Sequence, residues 1–340
     1  MATRIRLKNI DSLYRKAKER EQSGDWEAAE KYYREALAVR QNPGTWGVLG
    51  WVLYRKALRE GEGNFSEALA AAHEMRALAI DHRSKPLLAI ADCLIGRIHH
   101  DAGQAELAER FYCESVEARL RPETLVFLGK LMEEAGRGGE AKRYYQQALQ
   151  VDPGYREARY NLAVWYRAHK VYDEAGRHFR KALESDPEDA GIILQLASTL
   201  WHLGKEGIKE AKSLLDRLLR RQPLNLECRL LLAFTYKLLR QSHNAELLFR
   251  LTLEQLPPDS RAYWSFAWFL GNDFKEPVEA EILFEKALET PPQTGAAHYH
   301  YGQFLLARQQ PGRAQELFRK AAALGLEKAK ALLHKERRGA

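Results

Sequence analysis

An all-α solenoid superhelix of about nine helix–turn–helix units, ending in a C-terminal capping helix, is the fold class that this 340-residue chain predicts. Three observations carry that expectation. An alanine recurs at 29, 68, 108, 141, 175, 211, 245, 280 and 314, at spacings of 33 to 40 residues. Four residues after each comes a mostly bulky side chain (Tyr33, Tyr112, Tyr145, Phe179, Phe249, Phe284 and Phe318 among them), and three further on a mostly small one. After five of these alanines a proline follows at a fixed distance, at 153, 187, 223, 257 and 292.

Small, bulky and small at i, i+4 and i+7 form one stripe on a helix. The small members let a neighbouring helix approach, and the bulky one fills the gap between the two. Proline cannot continue a helix, so it marks the exit. Upstream of each alanine a second helical stripe appears, clearest at Trp46, Leu49, Gly50 and Leu53 and at Leu125, Leu128, Gly129 and Met132. Turns such as SGD (23–25), EAGRGGE (134–140) and RQQPGR (308–313) separate the two helices of a unit. The units are placed at 10–42, 43–88, 89–121, 122–155, 156–189, 190–225, 226–259, 260–294 and 295–326, after a lead-in at 1–9. The second carries extra residues near 59–65 and 80–86, and the sixth near 204–210, as longer turns or extended helices. A charged amphipathic segment at 327–340 is expected to cover the open end of the stack, as a solenoid's last element must.

The stretches WGVLG (46–50), ARYNLAVWY (158–166) and EAGRHFRKALESDP (174–187) resemble the tetratricopeptide repeat family, whose pattern is W-x2-L-G-x2-Y followed by A-x3-F and a closing proline. The resemblance covers residues 10–326. It implies that the first helices line a concave groove. In YWSFAWFLG (263–271), Tyr263, Phe266, Ala267 and Leu270 share the core stripe, while Trp264 and Trp268 share a second stripe that faces this groove. Followed along the chain, that second stripe divides. Its first half offers basic points at Lys18, Arg97, Lys130 and Arg167; its second half offers an aromatic wall of Trp201, Phe234, Trp264, Trp268 and Tyr299. Tyr14, Trp51, Tyr54 and Tyr160 are further groove candidates. Tryptophan and tyrosine present large contact areas with few rotors, which suits an extended peptide or amphipathic helix with apolar anchors and some acidic residues. The lysine–asparagine clamp with which some family members hold a C-terminal carboxylate is matched here only at Lys18.

The remaining residues point away from catalysis. There is no GxxxxGK[ST] phosphate loop and no HExxH; His99 and His100 are adjacent, and His298 and His300 two apart, so neither pair shares a helix face as two metal ligands would. No metal, cofactor or enzymatic activity is expected. Cys93, Cys113 and Cys228 lack CxxC spacing and read as buried free thiols. The basic N-terminus has no apolar core behind it, no run is long enough to span a membrane, and a cytoplasmic location is expected. A net charge of +7 is spread along the chain, with one short basic run at HKERRGA. Single-stranded RNA or another nucleic acid is the alternative partner, because basic and aromatic side chains together can cradle it. Since these two kinds of residue lie in different halves, a protein segment is preferred, held by a non-catalytic scaffold that forms one subunit of a larger complex.

Overall fold

A computed structural model describes residues 2–61, 64–274 and 276–339, with the side chains of 2–9, 273–274 and 334–339 left out. Glu62 and Gly63 of the expected 59–65 insertion therefore lie outside the described residues, and the whole basic HKERRGA run (334–340) outside the described side chains. Among the described residues there are nineteen α-helices, one π-helical turn and no strand.

Two compact blocks divide the chain, residues 1–165 and 166–340. The first holds α1 (Ala2–Gln22), α2 (Trp26–Val39), α3 (Pro43–Glu60), α4 (Ser66–Asp81), α5 (Lys85–Asp101), α6 (Ala105–Ala118), α7 (Pro122–Glu134), α8 (Gly138–Val151) and most of α9 (Arg156–Ala168). The second holds the end of α9, then α10 (Tyr172–Leu183), α11 (Ala190–Leu200), α12 (Gly204–Arg221), α13 (Leu226–Leu238), α14 (Ser242–Gln255) and α15 (Ser260–Phe269). It continues through a π-helical turn (Leu270–Phe274) to α16 (Pro277–Glu289), α17 (Gly295–Ala307), α18 (Pro311–Ala323) and α19 (Glu327–Gly339).

Helix starts follow local chemistry. The side chains of Asp25, Asn42, Asp189, Asn225, Asp259 and Thr294 each accept a backbone N–H of the turn they precede, and proline opens α3, α5, α7, α16 and α18. The turns inside a pair need a left-handed residue. Gly24, Gly103 and Gly136 supply it in the first block, whereas Arg240 and Gln309 hold φ near 60° without glycine's freedom in the second.

The alanine stripe is buried without exception. All nine alanines are at most 1% exposed, as are the nine residues at i+7, and those at i+4 reach no more than 2%. The polar members of the stripe find partners: the Ser115 hydroxyl donates to the Ala89 carbonyl, and that of Thr252 to the Leu248 carbonyl. Facing the bulky ring, the first helix presents glycine in α5, α7 and α17 and alanine in α9, α13 and α15. A Cβ on Gly129 would sit 2.3 Å from the Tyr145 ring and one on Gly302 2.7 Å from that of Phe318, so the ring rests directly on backbone. The sixth pair absorbs its extra residues by lengthening α12, where Gly207 lets the helix pass close to the Leu200 carbonyl. At the C-terminal end, α19 packs on α18 through a fully buried Ala329 and half-buried Leu332 and Leu333.

Within each block the first helices of successive pairs touch one another, as α3 does α5 and α13 does α15. The second helices are linked instead by ion pairs: Arg34 to Glu67 across α2 and α4, Arg76 to Glu114 across α4 and α6, Arg180 to Glu210 across α10 and α12, and Arg250 to Glu279 across α14 and α16. Three of these arginines lie five residues after the repeat alanine, and their glutamates one residue before the next. Exposed pairs of this kind contribute about 0–1 kcal/mol each, so their regular effect is on register more than on stability.

Candidate functional site

On the first helices of the second block the aromatic side chains form a connected chain. Phe234 on α13 meets Trp268 on α15 edge-on, with ring centroids 5.8 Å apart. Trp268 in turn approaches His300 on α17 at 6.5 Å, and His300 lies flat against Trp264, 4.7 Å away at an interplanar angle of 10°. Tyr299 closes the series against His300 at 5.5 Å, and its hydroxyl accepts from Gln303. All of these rings are half-buried. Spacing alone set His300 aside as an unsuitable metal ligand; the packed helices show it as the hinge between two tryptophans. Burial holds its pKa below the ordinary histidine value of 6.5, so it stays neutral among the rings at neutral pH. The Nε1 of Trp264 and the Nδ1 of His300 are buried without a hydrogen-bond partner.

Trp201 joins the same block by another means. It caps α11 and donates its indole N–H to the Thr235 hydroxyl on α13 at 3.0 Å, without ring stacking onto the others. Above the Trp268 ring the Lys237 ammonium stands 3.7 Å from the centroid, a cation–π contact. In YWSFAWFLG the deepest residues are Phe266, Ala267, Phe269 and Leu270, each at most 1% exposed. Tyr263 is only half-buried, and Phe269 takes a core place against Phe249, 5.3 Å away. Phe269 continues the regular spacing of Ala262, Ser265 and Phe266, and the equivalent Val52 of α3 and Leu131 of α7 are buried in the same way.

The first block's face is more polar. Tyr14, Lys18, Val48, Trp51 and Arg55 line a cleft of about 340 Å³ together with Glu21 and Tyr33. Tyr54 departs from its expected exposure: it is 3% exposed, its hydroxyl donating to Asp101 and accepting from Arg97 at 2.9 Å, with burial pushing its pKa up to about 12. A fourth-turn position on the stripe is roofed by the next pair, so Asp101 of α5 reaches it. Arg97 is correspondingly engaged, pairing with Asp101 at 3.4 Å and lying 4.9 Å over the Phe127 ring. Arg167, in the second block, donates to Ser198 at 3.2 Å. Lys18 is exposed and Lys130 half-buried, and neither has an ion-pair partner among the described residues. Tyr160 is half-buried on α9. The basic points thus divide into two that hold the fold's own groups and two that do not.

Cys93 and Cys228 are buried, with burial raising their pKa values to about 11 and about 12, so they remain protonated thiols. Cys113 on α6 is half-buried, and burial raises its pKa above the ordinary thiol value. Among the described residues no three or more His, Cys, Asp or Glu converge as a metal site, and no helix is long and apolar enough to cross a membrane.

Comparison with known proteins places this geometry in context. Tetratricopeptide repeat models match residues 128–190 and 7–45. The human protein O-mannosyl-transferase TMTC1 is 25% identical over 205 residues, 59% of this chain and 23% of that protein. Human tetratricopeptide repeat protein 6 is 32% identical over 77 residues, 23% of this chain and 15% of its own length. The chain thus spans less than a quarter of either relative. A tetratricopeptide repeat protein from Parabacteroides merdae superposes with a TM-score of 0.50 at 17% identity, covering 96% of this chain and 98% of that one, a likeness of fold.

Proposed function

Because this chain is a tetratricopeptide repeat protein, we propose that it is a non-catalytic scaffold that holds a segment of a partner protein on the first-helix face of its second block. Arrays of this fold serve protein–protein interaction. The observation that carries the reading is the aromatic chain Phe234–Trp268–His300–Trp264–Tyr299, half-exposed across three successive first helices. Such rings match the composition of binding hot spots, where large rigid side chains lie at the centre of a desolvated patch. Trp201 extends the same face toward α11. Tyr14, Lys18 and Trp51 form a smaller, more polar second contact in the first block, with Lys130 as a cationic point beyond it.

Arg97 and Arg167 bond groups of the fold itself, so two of the four expected basic points are engaged, which favours a peptide over a nucleic-acid backbone. Mannosyl transfer is named for a relative of which this chain matches under a quarter, and a non-catalytic role belongs to this proposal. Unpaired thiols fit a reducing compartment, and a cytoplasmic location belongs to this proposal. So does a place within a larger complex.

The test is affinity capture from native-host extract, with and without nuclease, comparing the wild type with Trp264→Ala/Trp268→Ala at unchanged helicity. Partners that survive nuclease and are lost only from the variant support the reading. Capture that vanishes with nuclease replaces it with a nucleic-acid one.

A further inference from the structure

We propose that Tyr112 and His100 hold a single buried water molecule between them, at a place where the equivalent tyrosines of the first block meet a side chain directly. Tyrosine stands four residues after the repeat alanine at three positions, Tyr33, Tyr112 and Tyr145. The Tyr33 hydroxyl of α2 donates to Glu21 of α1 at 3.2 Å, and the Tyr145 hydroxyl of α8 donates to Glu133 of α7 at 2.8 Å. Both glutamates lie twelve residues before their tyrosine, and at that offset from Tyr112 the chain has His100, on α5. The backbone frame is alike in the two later pairs. A Cβ on Gly96 would stand 2.6 Å from the Tyr112 ring, as one on Gly129 would stand 2.3 Å from that of Tyr145. What differs is the partner: the Tyr112 hydroxyl and the His100 Nδ1 are both buried without a hydrogen-bond partner.

The two unpartnered groups are complementary. His100 Nε2 lies 2.7 Å from the Glu134 carboxylate, which only accepts, so in the neutral ring the proton sits on Nε2 and Nδ1 is an acceptor. Burial raises the Tyr112 pKa, so its hydroxyl keeps its proton and donates. A donor and an acceptor therefore share one buried corner, their ring centroids 6.3 Å apart and their planes at 83°. Reach separates them. Histidine's Nδ1 lies one bond nearer its Cβ than a glutamate oxygen does, so the gap that Glu133 closes stays open at His100. Of the polar groups that act on the Tyr112 hydroxyl, Tyr54, Arg97 and Asp101 bond one another, and Cys93 offers only a weakly bonding thiol. A water that accepts from Tyr112 and donates to Nδ1 spans the gap with two hydrogen bonds in place of one. Left dry, both groups would carry an uncompensated desolvation penalty.

The test pairs crystal structures of the full chain and of His100→Gln, at a resolution that shows ordered waters, with urea titrations in solution. Glutamine has glutamate's reach; its oxygen can accept from Tyr112 while its amide donates to Glu134, so the substitution displaces the water and leaves neither group unpaired. The wild type is expected to show one ordered oxygen within hydrogen-bond distance of both Tyr112 Oη and His100 Nδ1. In His100→Gln that oxygen is expected to be gone, with the hydroxyl donating to the new amide oxygen. In solution, Tyr112→Phe is expected to lower the urea midpoint of the wild type by about 0.2 M, because it breaks a satisfied network. The same substitution in the His100→Gln background is expected to lower it as well. A Tyr112 hydroxyl bonded directly to Nδ1, a hydroxyl with no neighbouring oxygen in the density, or a Tyr112→Phe change that leaves or raises the wild-type midpoint overturns the proposal.

Discussion

The two blocks share one repeat scaffold and differ in what their first helices display. In the first, the face is tied up by polar contacts: Tyr54, Arg97 and Asp101 bond one another, and behind them Asp92, only 1% exposed, takes the Arg76 guanidinium at 2.6 Å. In the second, the first helices hold rings that meet rings, edge-on at Phe234–Trp268 and flat at Trp264–His300. Polar groups that satisfy each other inside the fold have little left for a partner, whereas half-exposed rings keep apolar area to bury on binding. The same stripe therefore fixes structure in one block and offers a surface in the other.

The largest effect that sharpens this contrast is expected from Arg76→Met. It leaves Asp92 buried with its second oxygen already unpartnered. Burial, opposed by Arg76, already raises the Asp92 pKa above the usual carboxylate value, and losing the arginine removes that opposition. Breaking a fully buried pair costs about 3–5 kcal/mol. Arg76 keeps part of its surface in water, so about 2 kcal/mol is expected here, read as a lower urea midpoint. Hydrogen exchange should assign the loss to α4–α6 and leave α13–α17 unchanged.

A smaller effect is expected from pH, through His300 in the second block; His73 on α4, whose pKa burial also lowers, contributes its own share of the slope in the wild type and the variant alike. Because burial depresses the His300 pKa, the unfolded chain binds a proton that the folded chain refuses as pH falls below about 6.5. Stability contributed by this site is complete above that value and lost on acidification. Comparing melts at neutral and mildly acidic pH, His300→Phe should flatten the slope while the wild type keeps it. An unchanged slope would place the histidine outside the aromatic chain.

The smallest effect is expected from Arg250→Ala, which removes an exposed link between α14 and α16 and the cover it gives Phe266. A change of about 0.5 kcal/mol in a denaturant titration is expected, and a loss several times larger would make the ion-pair ladder a principal source of stability.

The buried frame was almost wholly legible before any coordinates, because it repeats: an alanine that recurs nine times declares its own surroundings, and each of the nine is buried. The ion-pair ladder was written in the same period, at fixed offsets from that alanine, but charged residues on a solvated face attract no notice until two helices bring them together. Three features had no periodic signal. Tyr54 lies one turn beyond the stripe, and only the packing of α5 shows that Asp101 covers it. His300 became part of the aromatic chain through a contact between non-adjacent helices. The π-helical turn at Leu270–Phe274 breaks the 3.6-residue spacing only after α15 has ended; Phe269 itself, three residues after Phe266, keeps to it. What repeats can be read one residue at a time; what departs from the repeat needs its neighbours.

Hydrogen–deuterium exchange on the full chain, alone and with a captured partner bound, tests the central claim most directly. Protection concentrated on α13, α15 and α17, with α3, α5 and α7 exchanging as in the free chain, is the predicted result. Protection confined to the first block's first helices, or to the second helices of either block, would contradict it.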